Sequence, residues 1–199
     1  MSVLSVLLAP LACSDWPVIG ESPFYYYNRR KIELVSAPEL LSGVLERRED
    51  EAWLLDLASA FGLPEPQIRR RTRRGLAWFS LDFGSSASPV QLSRFRRVVM
   101  VNRRLRTFYN GYRTLNGSRV ILTGDIVARL KESTTREQIE AFVRRTGVEI
   151  AEFSERFRRY VFSTVTRGQD PLKIANSLHE TGWVTYSTPD FVTDINPFP

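Results

Sequence analysis

The second half of the chain carries strand and helix patterns in a fixed order, and this order strongly restricts the possible folds. Residues 118–130 are rich in β-branched side chains and predict a strand, which is followed by a helix pattern that ends at Gly147. Residues 148–153 and 159–166 predict a pair of strands. A second helix opens at Asp170-Pro171, an N-cap followed by proline, and a short strand pattern comes after it.

The predicted order in this half is β-α-β-β-α-β, which is the order of a ferredoxin-like unit. The first half repeats it less clearly, at an offset of about 85 residues. Its predicted elements are strand 41–45, helix 49–61, a central strand pair, helix 89–96 and strand 97–101, with an aromatic hairpin at 24–34 ahead of them. The predicted fold class is therefore α+β, with two tandem ferredoxin-like units and helices on one face of each antiparallel sheet.

The predicted domain boundaries follow from this repeat. Residues 1–23 form a leader or N-terminal extension, 24–106 the first repeat, 107–192 the second repeat and 193–199 a C-terminal tail. A chain of 199 residues with 43% apolar and 25% charged residues can build the core of one large or two small domains.

The few chemically reactive side chains argue against catalysis. His179 is the single histidine, it falls on a predicted helix, and no Gly-Thr-Ser motif accompanies it, so a serine-protease triad is not expected. Cys13 is the single cysteine. Its only possible imidazole partner is His179, and nothing in the sequence relates the two residues. Metal-ligand spacings and phosphate-binding glycine loops are missing from the sequence. The sequence predicts a protein that is not an enzyme and that uses no cofactor and no metal.

The lone cysteine also bears on localisation. Cys13 cannot form an internal disulfide, which favours the cytoplasm. Residues 1–13 have an apolar run like that of an export signal, but they lack a basic start and carry Pro10 where a lipoprotein signal has leucine. Export is the alternative, and no run is long enough to span a membrane.

Arginine-rich runs give the chain a formal net charge of +6. Runs such as 69–74 can attract nucleic acid, anionic lipid or an acidic protein surface, or can lie on solvated faces. RNA-recognition domains share the β-α-β-β-α-β order, so a basic nucleic-acid-binding protein is the alternative function. The base-stacking motif of those domains is missing, and the aromatic cluster Tyr25–Tyr27 is better explained as part of a packed strand.

Three groups of residues resemble a known protein family. They are Phe24–Tyr27 with Lys31–Leu34, Leu122–Leu130 with Thr135–Ile139, and Asp170–Leu178 with Val184–Phe191. In order and spacing they resemble the bipartite prodomain of bacterial subtilisin-like serine proteases, of the fervidolysin type. The resemblance covers residues 118–192 well and 24–105 loosely. Thr188 stands where the family usually has an acidic residue, and no protease domain follows in the sequence.

The resemblance implies a protease inhibitor that acts in trans on a separately encoded subtilisin-like serine protease. The sheet would pack on the protease, and the C-terminal segment would occupy the active-site cleft by β-strand addition. The expected protease-binding residues are Phe191, Val192, Thr193, Asp194, Ile195, Asn196, Pro197, Phe198 and Pro199.

Pro197 and Pro199 would make the C-terminal segment a poor protease substrate. Cleavage at Arg71 or Arg74, in a predicted exposed turn, is the expected means of release. A structural adaptor with no protease partner is a further alternative.

Overall fold

The computed structural model describes residues 22–193, in which strands predominate. The helices in this range are α1 (Asp50–Ala60), α2 (Pro89–Val101), α3 (Arg136–Thr146) and α4 (Pro171–Glu180). The strands are β1 (Phe24–Tyr27), β2 (Arg30–Leu45), β3 (Gln67–Arg73), β4 (Leu76–Asp82), β5 (Leu105–Thr114), β6 (Arg119–Leu130), β7 (Glu149–Ser154), β8 (Arg159–Ser163) and β9 (Val184–Thr193). None of these helices is long and apolar enough to cross a membrane.

The nine strands of the described region form one antiparallel sheet that curls like half of a barrel. Its main path runs β3-β4-β2-β5-β6-β8-β7, β1 pairs with β2, and β9 pairs with the remaining edge of β6. Within the described region, β3 pairs only with β4, and β9 pairs only with β6. Each of these two strands therefore keeps one edge with no strand partner.

The prediction of two tandem ferredoxin-like units is wrong, because the strands of both halves belong to this single curled sheet. The halves join where β5 turns directly into β6 and pairs with it at Tyr112↔Val120 and Arg113↔Arg119. The predicted boundary at residue 106 lies inside β5. Sequence periodicity reports which face of a strand is buried, and it does not report which other strand lies beside it.

The largest local difference lies just before that junction. One helix, α2, replaces the predicted helix 89–96 and strand 97–101. Its buried residues Leu92, Phe95 and Val99 follow helical spacing through the run of valines that had suggested a strand. The strand of this region lies later, at Leu105–Thr114.

The described residues form two cores on the helical side of the sheet and two clusters between the halves. The first core includes Phe79 and Phe95, and the second includes Phe142 and Phe162. The clusters between them join side chains of both halves: Leu34, Tyr109, Tyr112, Val120, Leu122 and Leu172 in one, and Val44, Trp78 and Ile121 in the other. The two halves are thus packed together as well as joined through the sheet.

Candidate protein-binding site

The predicted protease-binding segment begins inside the sheet. Phe191, Val192 and Thr193 are the last residues of β9, and they pair with Leu122, Ile121 and Val120 of β6. The Phe191 ring also packs edge-on against Tyr25, with 5.3 Å between the ring centroids. The predicted binding residues Asp194, Ile195, Asn196, Pro197, Phe198 and Pro199 lie outside the described residues. Phe191 and Val192 therefore also contribute to the packing of the fold.

A groove separates the end of β9 from the edge strand β3. Its volume is about 610 Å³, and β3 lines it with Arg71, Thr72 and Arg73. The opposite side consists of Asp190, Phe191 and Val192 from β9, with Thr123 of β6 beside them. The groove thus lies between two strands that each have a free edge.

A cluster of arginines and carboxylates closes one end of this groove. Arg73 contacts Asp190 at 2.7 Å and Asp125 at 3.2 Å, and Arg74 contacts Asp125 at 3.0 Å and Glu152 at 3.1 Å. Burial lowers the pKa of Arg74, but the contacts with Asp125 and Glu152 outweigh it, so the pKa is raised overall. These ion pairs hold the β3–β4 turn of the first half against β6, β7 and β9 of the second half.

We expect Asp125 to contribute most to this cluster. It is 4% exposed and also accepts a hydrogen bond from the Ser163 hydroxyl at 2.8 Å. The Asp125→Ala variant should lower the free energy of unfolding by about 2 kcal/mol, since both arginines are partly exposed and retain water when the carboxylate is lost. Glu152→Ala removes a carboxylate that is 56% exposed and should change stability by less than about 0.5 kcal/mol. Urea denaturation measures both, and equal effects would contradict a central role for Asp125.

Asp125 owes its position to a bulge in β6. The pairing of β6 with β9 shifts between Leu122 and Ile126, and Gly124 adopts a φ of +90° at that point. The carbonyl of Gly124 accepts a hydrogen bond from the backbone amide of Thr164 at 2.9 Å. Sequence analysis missed this bulge, although a glycine followed by aspartate inside a strand pattern is a signal for one.

The second half leaves one face of its sheet without helices. Ile126, Ala128 and Leu130 of β6 point toward α3 and α4, so Val127 and Arg129 point to the opposite face. Their register partners on β8 and β9 share that face: Arg159, Val161, Tyr186 and Thr188. The central strands β6 and β8 present aliphatic and basic side chains there, without the aromatic platform that base stacking needs.

The arginine run predicted as a cleavage site forms an edge strand. Arg71 lies in β3 opposite Trp78 of β4, and Arg74 follows at the turn with a φ of 47° and two ion pairs. A protease must bind several residues of its substrate in an extended, unpaired form. Arg71 and Arg74 are both exposed and Arg74 lies in the turn after β3, but cleavage at either residue would require β3 to leave β4 first. Release by cleavage stays a prediction.

His179 takes part in packing between α4 and the aromatic hairpin of β1 and β2. Its ring stacks on Tyr26 with 4.1 Å between centroids, and Asn176 of the same helix donates a hydrogen bond to the Phe24 carbonyl at 2.8 Å. Partial burial lowers the pKa of His179. The hairpin aromatics thus anchor the N-terminal part of the described chain to the second half.

Comparison with known proteins gives no further assignment. No family model matches the chain, and no curated protein is significantly similar to it. Between residues 22 and 193, no three histidine, cysteine, aspartate or glutamate side chains group as metal ligands would. The candidate site is therefore defined by geometry alone: the end of β9, the groove beside it and the helix-free face of the second half.

Proposed function

We propose that this protein binds and inhibits a separately encoded subtilisin-like serine protease, with residues 194–199 in the active-site cleft. The observation that carries the proposal is the geometry of β9. This strand pairs with β6 up to Thr193 and is extended at that point, and its other edge has no strand partner among the described residues. A protease binds substrate segments in the same extended form, through backbone hydrogen bonds and alternate side chains.

The helix-free face of the second half supports a second contact. It lies beside β9 and carries Val127 and Tyr186 together with Arg129 and Arg159. An apolar centre with charged side chains around it suits a protein surface of complementary charge. Contact at two places would place the C-terminal segment in the cleft at high effective concentration.

The test compares the full chain with a variant that ends at Thr193. Phe191 and Val192 pack into the fold, so truncation after Thr193 removes the predicted inhibitory segment and leaves β9 complete. Inhibition is measured with a purified subtilisin-like protease and a chromogenic peptide substrate. We expect inhibition by the full chain and an inhibition constant raised by about 100-fold or more in the truncated variant.

Two controls make the result specific. The truncated variant must give the circular dichroism spectrum and urea midpoint of the full chain, which shows that the fold is intact. A trypsin-like protease, whose fold is unrelated, should not be inhibited by either form. Equal inhibition of the subtilisin-like protease by both forms, or none by the full chain, would overturn the proposal.

A further inference from the structure

The groove between β3 and β9 has features that the proposed protease inhibition does not require. Both strands bordering it have an edge with no strand partner in the described part of the chain, and exposed edges of this kind pair readily with another extended chain. The groove is about 610 Å³ in volume and is closed at one end by the ion pair of Arg73 with Asp190.

The register of β3 determines which side chains face the groove. Arg69, Arg71 and Arg73 pair with Ser80, Trp78 and Leu76 of β4 and share the face on which Trp78 packs against the second half. Arg70 lies on the opposite face, where it forms an ion pair with Glu51 of α1 at 2.6 Å. Alternate residues of a strand recur on one face about every 6.7 Å, so the three arginines form an evenly spaced basic row, of which Arg71 and Arg73 line the groove.

Arg71 is the member of this row best placed to bind a ligand. Its side chain is exposed and lines the groove, and it forms no ion pair within residues 22–193. Arg73 is already paired with Asp125 and Asp190. An extended chain added beside β3 would bring its own alternate side chains opposite the basic row.

We infer that the groove binds an extended peptide with acidic residues at every second position. The peptide adds a strand to the edge of β3, and its carboxylates form charge-assisted hydrogen bonds with the basic row, above all with Arg71. Charge complementarity and the two-residue spacing select this ligand. The inference depends on the groove alone and is independent of protease binding.

The experiment uses the full chain and two fluorescein-labelled peptides of identical composition. One has alternating acidic residues, Thr-Glu-Val-Glu-Val-Glu-Thr, and the other has no two acidic residues two positions apart, Thr-Glu-Glu-Val-Val-Glu-Thr. Fluorescence anisotropy should show that the alternating peptide binds at least about tenfold more tightly, since only its carboxylates recur at every second position on one face of a strand. Equal binding would mean attraction by charge alone and would overturn the inference.

Variants then locate the site. Arg71→Gln should weaken binding of the alternating peptide by about tenfold, because one charge-assisted hydrogen bond is lost. Arg70→Gln makes the same change in charge on the opposite face of the same strand and should leave binding within about twofold. Equal losses in both variants would overturn the assignment. So would a dimer of the free protein that dissociates in Arg71→Gln, because a second copy would then fill the groove.

Discussion

Replacing Phe95 by alanine should destabilise the whole described fold, including the half that does not contain it. Phe95 is 0% exposed and packs edge-on against Phe83 and Phe61, with ring centroids 5.5 and 6.4 Å away. Loss of a fully buried phenylalanine costs about 4 kcal/mol through lost burial and the cavity left behind. Because the halves share one sheet and two clusters, we expect this loss to reach the second half as well.

Hydrogen exchange with mass spectrometry measures this effect in both halves at once. In Phe95→Ala, amides of β8 around Phe162 should lose protection by the same free energy as amides of β4. Val98→Ala is the matched control, because this residue of the same helix is 36% exposed and its replacement should change stability by less than about 0.5 kcal/mol. Unchanged protection in β8 would mean that the halves unfold independently, as two separate domains would.

The sequence predicts local structure best where hydrophobic periodicity and the signals for helix ends agree. The helix end at Gly147 and the proline start at Asp170-Pro171 are found where they were predicted, because each depends on backbone chemistry within a few residues. The run Arg97–Val101 was misassigned as a strand, since β-branched residues favour strands but burial of Val99 in the first core favours the helix. Tertiary packing overrode local preference there.

The sequence does not reveal which strands pair across the two halves. Nothing in residues 105–120 shows that β5 continues into β6 and joins the two halves, since a hairpin and a linker between domains can carry similar turn residues. The contact of Tyr109 with Gly124 and the ion pairs of Arg73 and Arg74 depend on this closure. The candidate site was therefore predicted only in part: its terminal strand is visible in the sequence, and the groove beside it is not.

The arginines illustrate the same limit. A run such as 69–74 predicts a basic surface, and the fold divides it by strand alternation, so that Arg71 and Arg73 line the groove and Arg70 faces α1. Arg73 and Arg74 then use their charge within the protein, against Asp125 and its neighbours. Net charge therefore overstates the basic surface that this segment presents to a partner.

Replacing Gly124 by alanine should have the second large effect, about 3 kcal/mol of lost stability. The φ of +90° is unfavourable for any residue with a Cβ. An added Cβ would also collide with the buried Tyr109 hydroxyl and lie 2.8 Å from the Cζ of that ring. The Tyr109 hydroxyl is held by a 2.5 Å hydrogen bond with the Thr164 side chain, so the ring cannot move away without losing that bond.

A double-mutant cycle isolates the contribution of the Tyr109 hydroxyl. Tyr109→Phe alone should cost about 1 to 2 kcal/mol, because Thr164 loses a buried partner. In the double variant the collision with the hydroxyl is gone, while the close contact with the ring carbons and the backbone strain remain, so its loss of stability should be smaller than the sum of the single losses by about 1 kcal/mol. Urea denaturation of the four proteins measures this difference. Strict additivity would show that the Tyr109 hydroxyl does not restrict the bulge that positions Asp125.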